Sequence, residues 1–145
     1  MSTENNDIKD ENKKPSKLLL YFSKKFLNIS NKKIIKKARK DYLYKQFIDN
    51  FKASIQFTTR DDYINKYIIF DGKGGIEYRD GKINNPDSII KYRSVKDLFI
   101  FYKNFGDVNE GLVQNRFEMS GNLNILFKYG FLTSVINPKK EKIKL

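Results

Sequence analysis

The spacing of apolar residues changes once along the chain, and this change constrains the fold more than any other feature. From residue 17 to about residue 50 the apolar residues recur at helical spacing, whereas from residue 53 onward they alternate with polar ones. Alternation is typical of half-buried strands. Five strands are predicted, at residues 53–59, 64–70, 75–79, 87–92 and 114–119.

Turn signals connect the first three predicted strands. "DGKGG" at residues 71–75 and "RDG" at residues 79–81 are rich in the residues that tight turns favour. We therefore expect an antiparallel meander here. "DGKGG" is not a phosphate-binding loop, because it lacks the Gly-Lys-Ser/Thr ending of that motif and joins two strands.

Helices are predicted between and after the last strands. "SVKDLFIFYKN" begins with Ser94 as a helix cap, and Asp97 follows three residues later in a capping-box spacing. A shorter helical turn is expected at residues 108–112. The final helix begins near Leu123 and is apolar around most of its circumference. In a chain that is 32% charged, such a helix is either buried or faces something other than water.

Two missing residue types exclude most catalytic and metal chemistry. The 145-residue chain, long enough for one domain, contains neither Cys nor His. This removes disulfides, thiolate nucleophiles, Ser-His pairs and nearly all zinc sites. We therefore expect a protein that is not an enzyme and that has no cofactor and no metal. No apolar run approaches the roughly 20 residues that span a bilayer, and no signal peptide is recognisable, so we expect a cytoplasmic protein.

The formal net charge of +12 is unevenly distributed. Residues 17–50 carry a net charge of +8, whereas residues 51–137 carry only +2. Only five of the 29 basic residues are Arg, the residue best suited to bidentate phosphate or base recognition. These features argue against nucleic acid as a partner. A basic nucleic-acid-associated protein nevertheless stays an alternative.

The order of elements from Pro86 to Tyr129 resembles the sterol carrier protein family. The order is "PDSIIKY" as a strand, "SVKDLFIFY" as a helix, a short helix, "NRFEMSGN" as a strand, and the apolar helix. From Leu98 to Asn122 the resemblance needs no gap, and it covers roughly residues 33–136. The matching positions are Asp107, Gly111, Arg116, Phe117, Met119, Gly121 and Asn122.

Two positions depart from the family pattern. Asn104 and Asn115 stand where the family usually has Gly. Because Asn is the residue after Gly that best tolerates left-handed backbone, we expect both turns to survive.

The resemblance implies an α+β fold, with a five-stranded, mostly antiparallel sheet covered on one face by helices and an apolar tunnel between them. It also implies non-catalytic binding or transfer of a fatty acid, a fatty acyl group or a sterol-like ligand in that tunnel. One side of the final helix would pack on the sheet and another would face the cavity. The predicted pocket residues are Phe99, Tyr102, Phe117, Met119, Leu123, Leu126, Phe127 and Phe131. An accessory protein-interaction module with a vestigial pocket is a further alternative.

The chain is thus divided into four segments. Residues 1–16 are expected to be a disordered polar tail, 17–31 a basic amphipathic helix, 32–137 the lipid-binding domain, and 138–145 a basic tail. An anionic membrane surface is a second predicted partner besides the lipid ligand, since an apolar helix face flanked by lysines suits one. The predicted membrane-contact residues are Leu18, Leu19, Phe22, Lys24, Lys25 and Phe26.

Overall fold

The computed structural model describes residues 14–136. The predicted basic tail and all but the last three residues of the predicted polar tail lie outside this range. The helices are α1 (Lys17–Lys40), α2 (Tyr42–Asp49), α3 (Val95–Lys103), α4 (Val108–Val113) and α5 (Leu123–Ile136). The strands are β1 (Lys52–Thr59), β2 (Asn65–Asp71), β3 (Ile76–Asp80), β4 (Ser88–Tyr92) and β5 (Phe117–Gly121).

The five strands form one sheet in the order β3-β2-β1-β4-β5. Strands β1, β2 and β3 form the predicted antiparallel meander, and β4 pairs with β5 in the same way. The pair β1 and β4 is parallel. The prediction of a mostly antiparallel, five-stranded α+β fold is therefore confirmed.

Strand register places the large apolar side chains on one face of the sheet. Phe57 lies opposite Ile90, and Ile55 lies opposite Ile68, and all four are buried. The ring of Phe57 packs against Tyr129 of α5, with ring centroids 5.5 Å apart. The helices therefore cover this face, and the main core lies between them and the sheet.

The connection from β3 to β4 crosses the opposite face of the sheet. Gln56 of β1 donates from Nε2 to the Gly81 carbonyl at 2.9 Å and accepts at Oε1 from the Ile83 backbone at 2.9 Å. Ser54 and Asp87 exchange two further hydrogen bonds, at 2.8 and 2.9 Å. Side chains of β1 thus hold the crossing segment in place.

Helix α1 is one continuous helix of 24 residues. It runs through the boundary predicted after residue 31, because residues 17–40 contain neither Gly nor Pro to stop it. The Ser16 hydroxyl caps its beginning by accepting from the Leu19 backbone at 3.1 Å. Its end is set by Asp41, whose carboxylate accepts from the Tyr44 backbone at 3.2 Å and so begins α2.

Helix α3 begins at the predicted cap. The Ser94 hydroxyl accepts from the Asp97 backbone at 3.1 Å and donates to the Asp97 carboxylate at 2.7 Å. That buried carboxylate also accepts from Arg93 at 3.0 Å and from Arg116 at 3.2 Å. One carboxylate therefore ties the start of α3 to the end of β4 and to the residue before β5.

Three positions that match the family pattern have clear structural roles. Asp107 caps α4 by accepting from the Glu110 backbone at 3.2 Å. Gly111 must be small, because a Cβ there would collide with the ring of Phe117. Gly121 has a φ of +87°, and a Cβ there would collide with the Asp87 carbonyl.

The two Asn positions behave differently from each other. Asn115 has a φ of +53°, so the expected left-handed turn is present there. Asn104 has a φ of −89°, and the expectation of left-handed backbone at that residue is wrong. The left-handed residues of the turn after α3 are instead Phe105 and Gly106, because the Asn104 backbone N–H still donates a helical hydrogen bond to the Ile100 carbonyl at 2.9 Å.

The Asp97 cluster should contribute strongly to stability. Replacing Asp97 by Ala leaves two arginines without their shared buried carboxylate, and we expect a loss of about 3 kcal/mol in the free energy of unfolding. The matched control is Glu118→Ala, which removes an exposed ion pair with Arg60 and should cost less than about 1 kcal/mol. Urea unfolding of both variants gives the comparison. Equal losses would contradict the role assigned to Asp97.

Candidate functional site

The space between the helices and the sheet contains a group of tyrosines, here called the tyrosine layer. Its members come from β3, β4, α3 and α5 and are Tyr78, Tyr92, Tyr102 and Tyr129. The side chains of Tyr92 and Tyr129 are only 2% and 6% exposed. The layer therefore occupies part of the region where the resemblance implies an apolar tunnel.

Helix α1 supplies polar partners to the tyrosine layer. The Tyr129 hydroxyl donates to Asn31 Oδ1 at 2.7 Å, and the Tyr78 hydroxyl donates to Asn28 Oδ1 at 2.7 Å. Asn31 in turn donates to the Leu27 carbonyl at 3.0 Å. Among the described residues, no buried side-chain nitrogen or oxygen lacks a hydrogen-bond partner. The layer is therefore polar at its hydroxyls but fully hydrogen-bonded.

Burial holds these phenols in the protonated state. Burial raises the pKa of Tyr102 to about 12, although hydrogen bonds with Tyr92 and Ser30 act to lower it. Burial likewise raises the pKa of Tyr78, Tyr92 and Tyr129 well above the ordinary value near 10. Near neutral pH these hydroxyls donate and accept hydrogen bonds but do not act as bases.

The eight predicted pocket residues fall into an inner and an outer group. Four of the inner group lie in the core or against it, where Phe117 and Leu126 are buried and Tyr102 and Met119 are partly buried. The fifth, Phe99, is partly buried beside Phe26, with ring centroids 5.6 Å apart. Three lie on the outer side of α5, between 47% and 66% exposed: Leu123, Phe127 and Phe131. The structure does not bring the eight together around one space, and their role in ligand binding stays a prediction.

Helix geometry explains this division. On α5, residues Leu126, Tyr129 and Leu132 follow one another at three-residue spacing and face the core. Leu123, Phe127 and Phe131 follow at four-residue spacing on another side. The helix is therefore apolar both toward the core and toward solvent, as its sequence predicts.

Two clefts open on the surface away from the predicted pocket residues. One, of about 650 Å³, is lined by Lys33, Lys36, Lys37, Lys40, Asp41, Tyr42, Val135 and Ile136. The other, of about 480 Å³, is lined by Ile35, Ala38, Arg39, Lys45, Gly74, Gly75 and Ile76. None of the predicted pocket residues lines either cleft. The predicted apolar tunnel stays a prediction.

The predicted membrane-contact residues also differ in their surroundings. Leu18 is 65% exposed and Phe22 is 37% exposed, and Lys25 beside them is also exposed. Leu19 packs against the core, and the ring of Phe26 lies 5.6 Å from that of Phe99. Lys24 is half-buried. Membrane contact by these residues stays a prediction.

Sequence reasoning missed the polar residues by which α1 packs on the domain. Ser23, Ser30 and Asn31 are buried, together with the apolar Leu27 and Ile34. Their spacing of three or four residues was the available signal, but small polar residues do not contribute to a hydrophobic pattern. The inward side of α1 is therefore a mixed stripe.

Neither a membrane span nor a metal site is found in the described part of the chain. No helix within residues 14–136 combines the length and the hydrophobicity needed to cross a bilayer. The same residues contain no group of three or more acidic side chains placed to hold a metal ion.

The tyrosine layer should make the protein sensitive to alkaline pH. Unfolded phenols lose their protons near pH 10, whereas the folded Tyr102 keeps its proton until about pH 12. The folded state therefore holds more protons in this window, and the free energy of unfolding should fall by about 1.4 kcal/mol per pH unit for each such tyrosine. Urea unfolding at several pH values measures this. Tyr102→Phe should give a shallower fall, and stability unchanged between about pH 9 and 11 would contradict the account.

Comparison with known proteins bears on the fold. No protein-family model matches the chain, and no curated protein matches it in sequence. Among solved structures, it is similar to the ubiquinone synthesis protein UbiJ-SCP2, with 8% identity, 76% of this chain and 93% of that chain covered, and a TM-score of 0.56. It is also similar to sterol carrier protein domain 2 of Helicoverpa armigera, with 14% identity, coverage of 80% and 91%, and a TM-score of 0.56. Residues 14–136 therefore have the fold of the sterol carrier protein domains, as the resemblance in sequence predicts.

Proposed function

We propose that this protein binds a lipid without chemically changing it and carries it between sites. The fold supports the proposal, because the two similar structures are a sterol carrier domain and a protein of ubiquinone synthesis. The observation that carries it is the character of α5, which is apolar toward the core and toward solvent. A helix of this kind can cover an acyl chain with either side without burying a charge.

The ligand would lie between α5 and the β4–β5 edge of the sheet. Leu126 contributes from the helix, and Phe117 and Met119 contribute from the inner face of β5. Each methylene removed from water contributes about 0.8 kcal/mol, so ten would give a gross gain of about 8 kcal/mol before ordering costs. A fatty acid, a fatty acyl group or a sterol-like molecule supplies enough apolar surface.

The tyrosine layer would meet the polar end of such a ligand. The Tyr129 hydroxyl donates to Asn31, and its oxygen can also accept a hydrogen bond. A ligand hydroxyl can therefore donate to this oxygen while the bond to Asn31 stays in place. The raised pKa values keep these phenols neutral, which suits binding and not base catalysis. The proposed role is therefore carriage, and the predicted cytoplasmic location stays part of this proposal.

A charge inside the proposed site should abolish ligand binding. We expect Leu126→Lys and Met119→Lys each to weaken binding of a fluorescent fatty acid at least 100-fold, because an unpaired buried ammonium costs several kcal/mol. The matched control is Val135→Lys, on the same helix but 41% exposed, which should bind as the unmodified protein does. Fluorescence titration measures affinity, and circular dichroism verifies folding.

Two results would contradict the proposal. One is unchanged affinity in a folded Leu126→Lys or Met119→Lys variant. The other is failure of the unmodified protein to bind any probe of a panel comprising a fatty acid, an acyl-CoA, a sterol and an isoprenoid quinone.

The tyrosine layer also favours a second candidate, an accessory protein-interaction module with a vestigial pocket. Tyr92 and Tyr129 fill interior space with hydrogen-bonded side chains, and a domain that carries no ligand needs such filling. The ligand panel separates the two candidates, since a vestigial pocket binds none of its members.

A further inference from the structure

Helices α2 and α5 present an exposed apolar surface, here called the aromatic ridge. Its six residues are between 41% and 68% exposed and comprise Leu43, Phe47, Leu123, Phe127, Phe131 and Val135. The residues from each helix follow one another at four-residue spacing, so they form one stripe per helix. The rings of Phe47 and Phe131 meet edge to face with centroids 5.3 Å apart, which joins the two stripes. Contiguous exposed apolar surface of this kind marks an interaction site.

The larger of the two surface clefts adjoins the ridge and is here called the lysine cleft. Four lysines on one side of α1 line it, Lys33, Lys36, Lys37 and Lys40, together with a single acidic residue, Asp41. Asp41 pairs with Lys37 at 3.1 Å. Val135 belongs to both the ridge and the cleft, so the apolar and the basic surfaces are continuous.

We propose that the aromatic ridge and the lysine cleft together dock on an anionic lipid bilayer. The ridge would insert shallowly between headgroups, and the lysines would meet the phosphates, with their alkyl stems along the apolar surface. The proposal goes beyond carriage and does not require that any ligand occupy the interior.

Charge and shape favour a bilayer over a protein occupant. A second copy of this chain, whose formal net charge is +12, offers the lysine cleft no excess of negative charge. A partner helix needs a groove, but the contact between Phe47 and Phe131 closes the space between α2 and α5 at this point. Neither objection applies to a soft anionic surface.

The chain contains no Trp, so the Trp fluorescence of a variant with one introduced Trp reports only on the surroundings of that residue. The reporter is Phe131→Trp on the ridge, and the matched control is Val113→Trp, at a residue 77% exposed on α4. With vesicles of phosphatidylcholine and phosphatidylglycerol, we expect a blue shift and quenching by brominated acyl chains for the reporter alone. Pure phosphatidylcholine should produce little of either.

Charge removal should weaken docking in a predictable way. Each lysine near an anionic surface increases the partition coefficient onto vesicles about fivefold. The triple variant Lys33→Gln, Lys36→Gln and Lys40→Gln should therefore bind vesicles on the order of 100-fold more weakly. Raising the salt from about 0.05 to about 0.5 M should act in the same direction. Phe127→Ser should also reduce vesicle co-sedimentation while circular dichroism stays unchanged.

Four outcomes would overturn the proposal. The first is vesicle binding that does not depend on lipid charge, and the second is equal quenching of the ridge reporter and of the Val113→Trp control. The third is loss of vesicle binding in the double variant Leu18→Ser/Phe22→Ser with no loss in Phe127→Ser. The fourth is self-association of the protein that Phe127→Ser abolishes. The third would assign docking to the first half of α1, and the fourth would assign the ridge to a second copy of the chain. Because vesicle binding is measured without a soluble ligand, its failure is distinguishable from failure of the proposed carriage.

Discussion

The arrangement of the helices depends on the hydrogen-bonded contact between α1 and the tyrosine layer. Asn31 is fully buried, and its side chain links the Tyr129 hydroxyl to the Leu27 carbonyl. Ser23, which is also buried and lies earlier in α1, donates from its hydroxyl to the Val95 carbonyl at the start of α3 at 3.3 Å. Removing one such partner leaves a buried polar group unsatisfied, which costs about 1–3 kcal/mol. One helix thereby fixes the positions of α3 and α5 over the sheet.

The same contact limits which ligands the interior of the protein can accept. An interior lined only by aliphatic groups would accept an acyl chain anywhere, whereas hydroxyls of Tyr102 and Tyr129 are satisfied only by hydrogen-bonding partners. A ligand that enters must therefore either stay near Leu126 and Met119 or bring polar atoms to the tyrosines. Both routes are consistent with an amphipathic ligand, and neither requires bond chemistry.

The parts of the structure that follow from local chemistry were predictable from the sequence. Alternating residues and turn signals located the first four strands to within one residue of their ends, and Ser94 with Asp97 located the start of α3. The fifth strand was predicted at residues 114–119 but extends over Phe117–Gly121, because the chain turns at Asn115, where φ is +53°. The prediction was less successful where long-range packing decides. Asn31 contacts a residue 98 positions away, and no local pattern marks such a pair. The outward side of α5 was likewise unpredictable, since a helix apolar on all sides does not indicate which side faces the sheet.

The central claim is that the protein carries a lipid in the region between α5 and the sheet, and native mass spectrometry of the protein purified without detergent tests it most directly. The account predicts a population heavier than the 17.2 kDa chain by the mass of one lipid, which organic extraction releases. A spectrum that contains only the bare chain, both as purified and after incubation with mixed lipids, would contradict it.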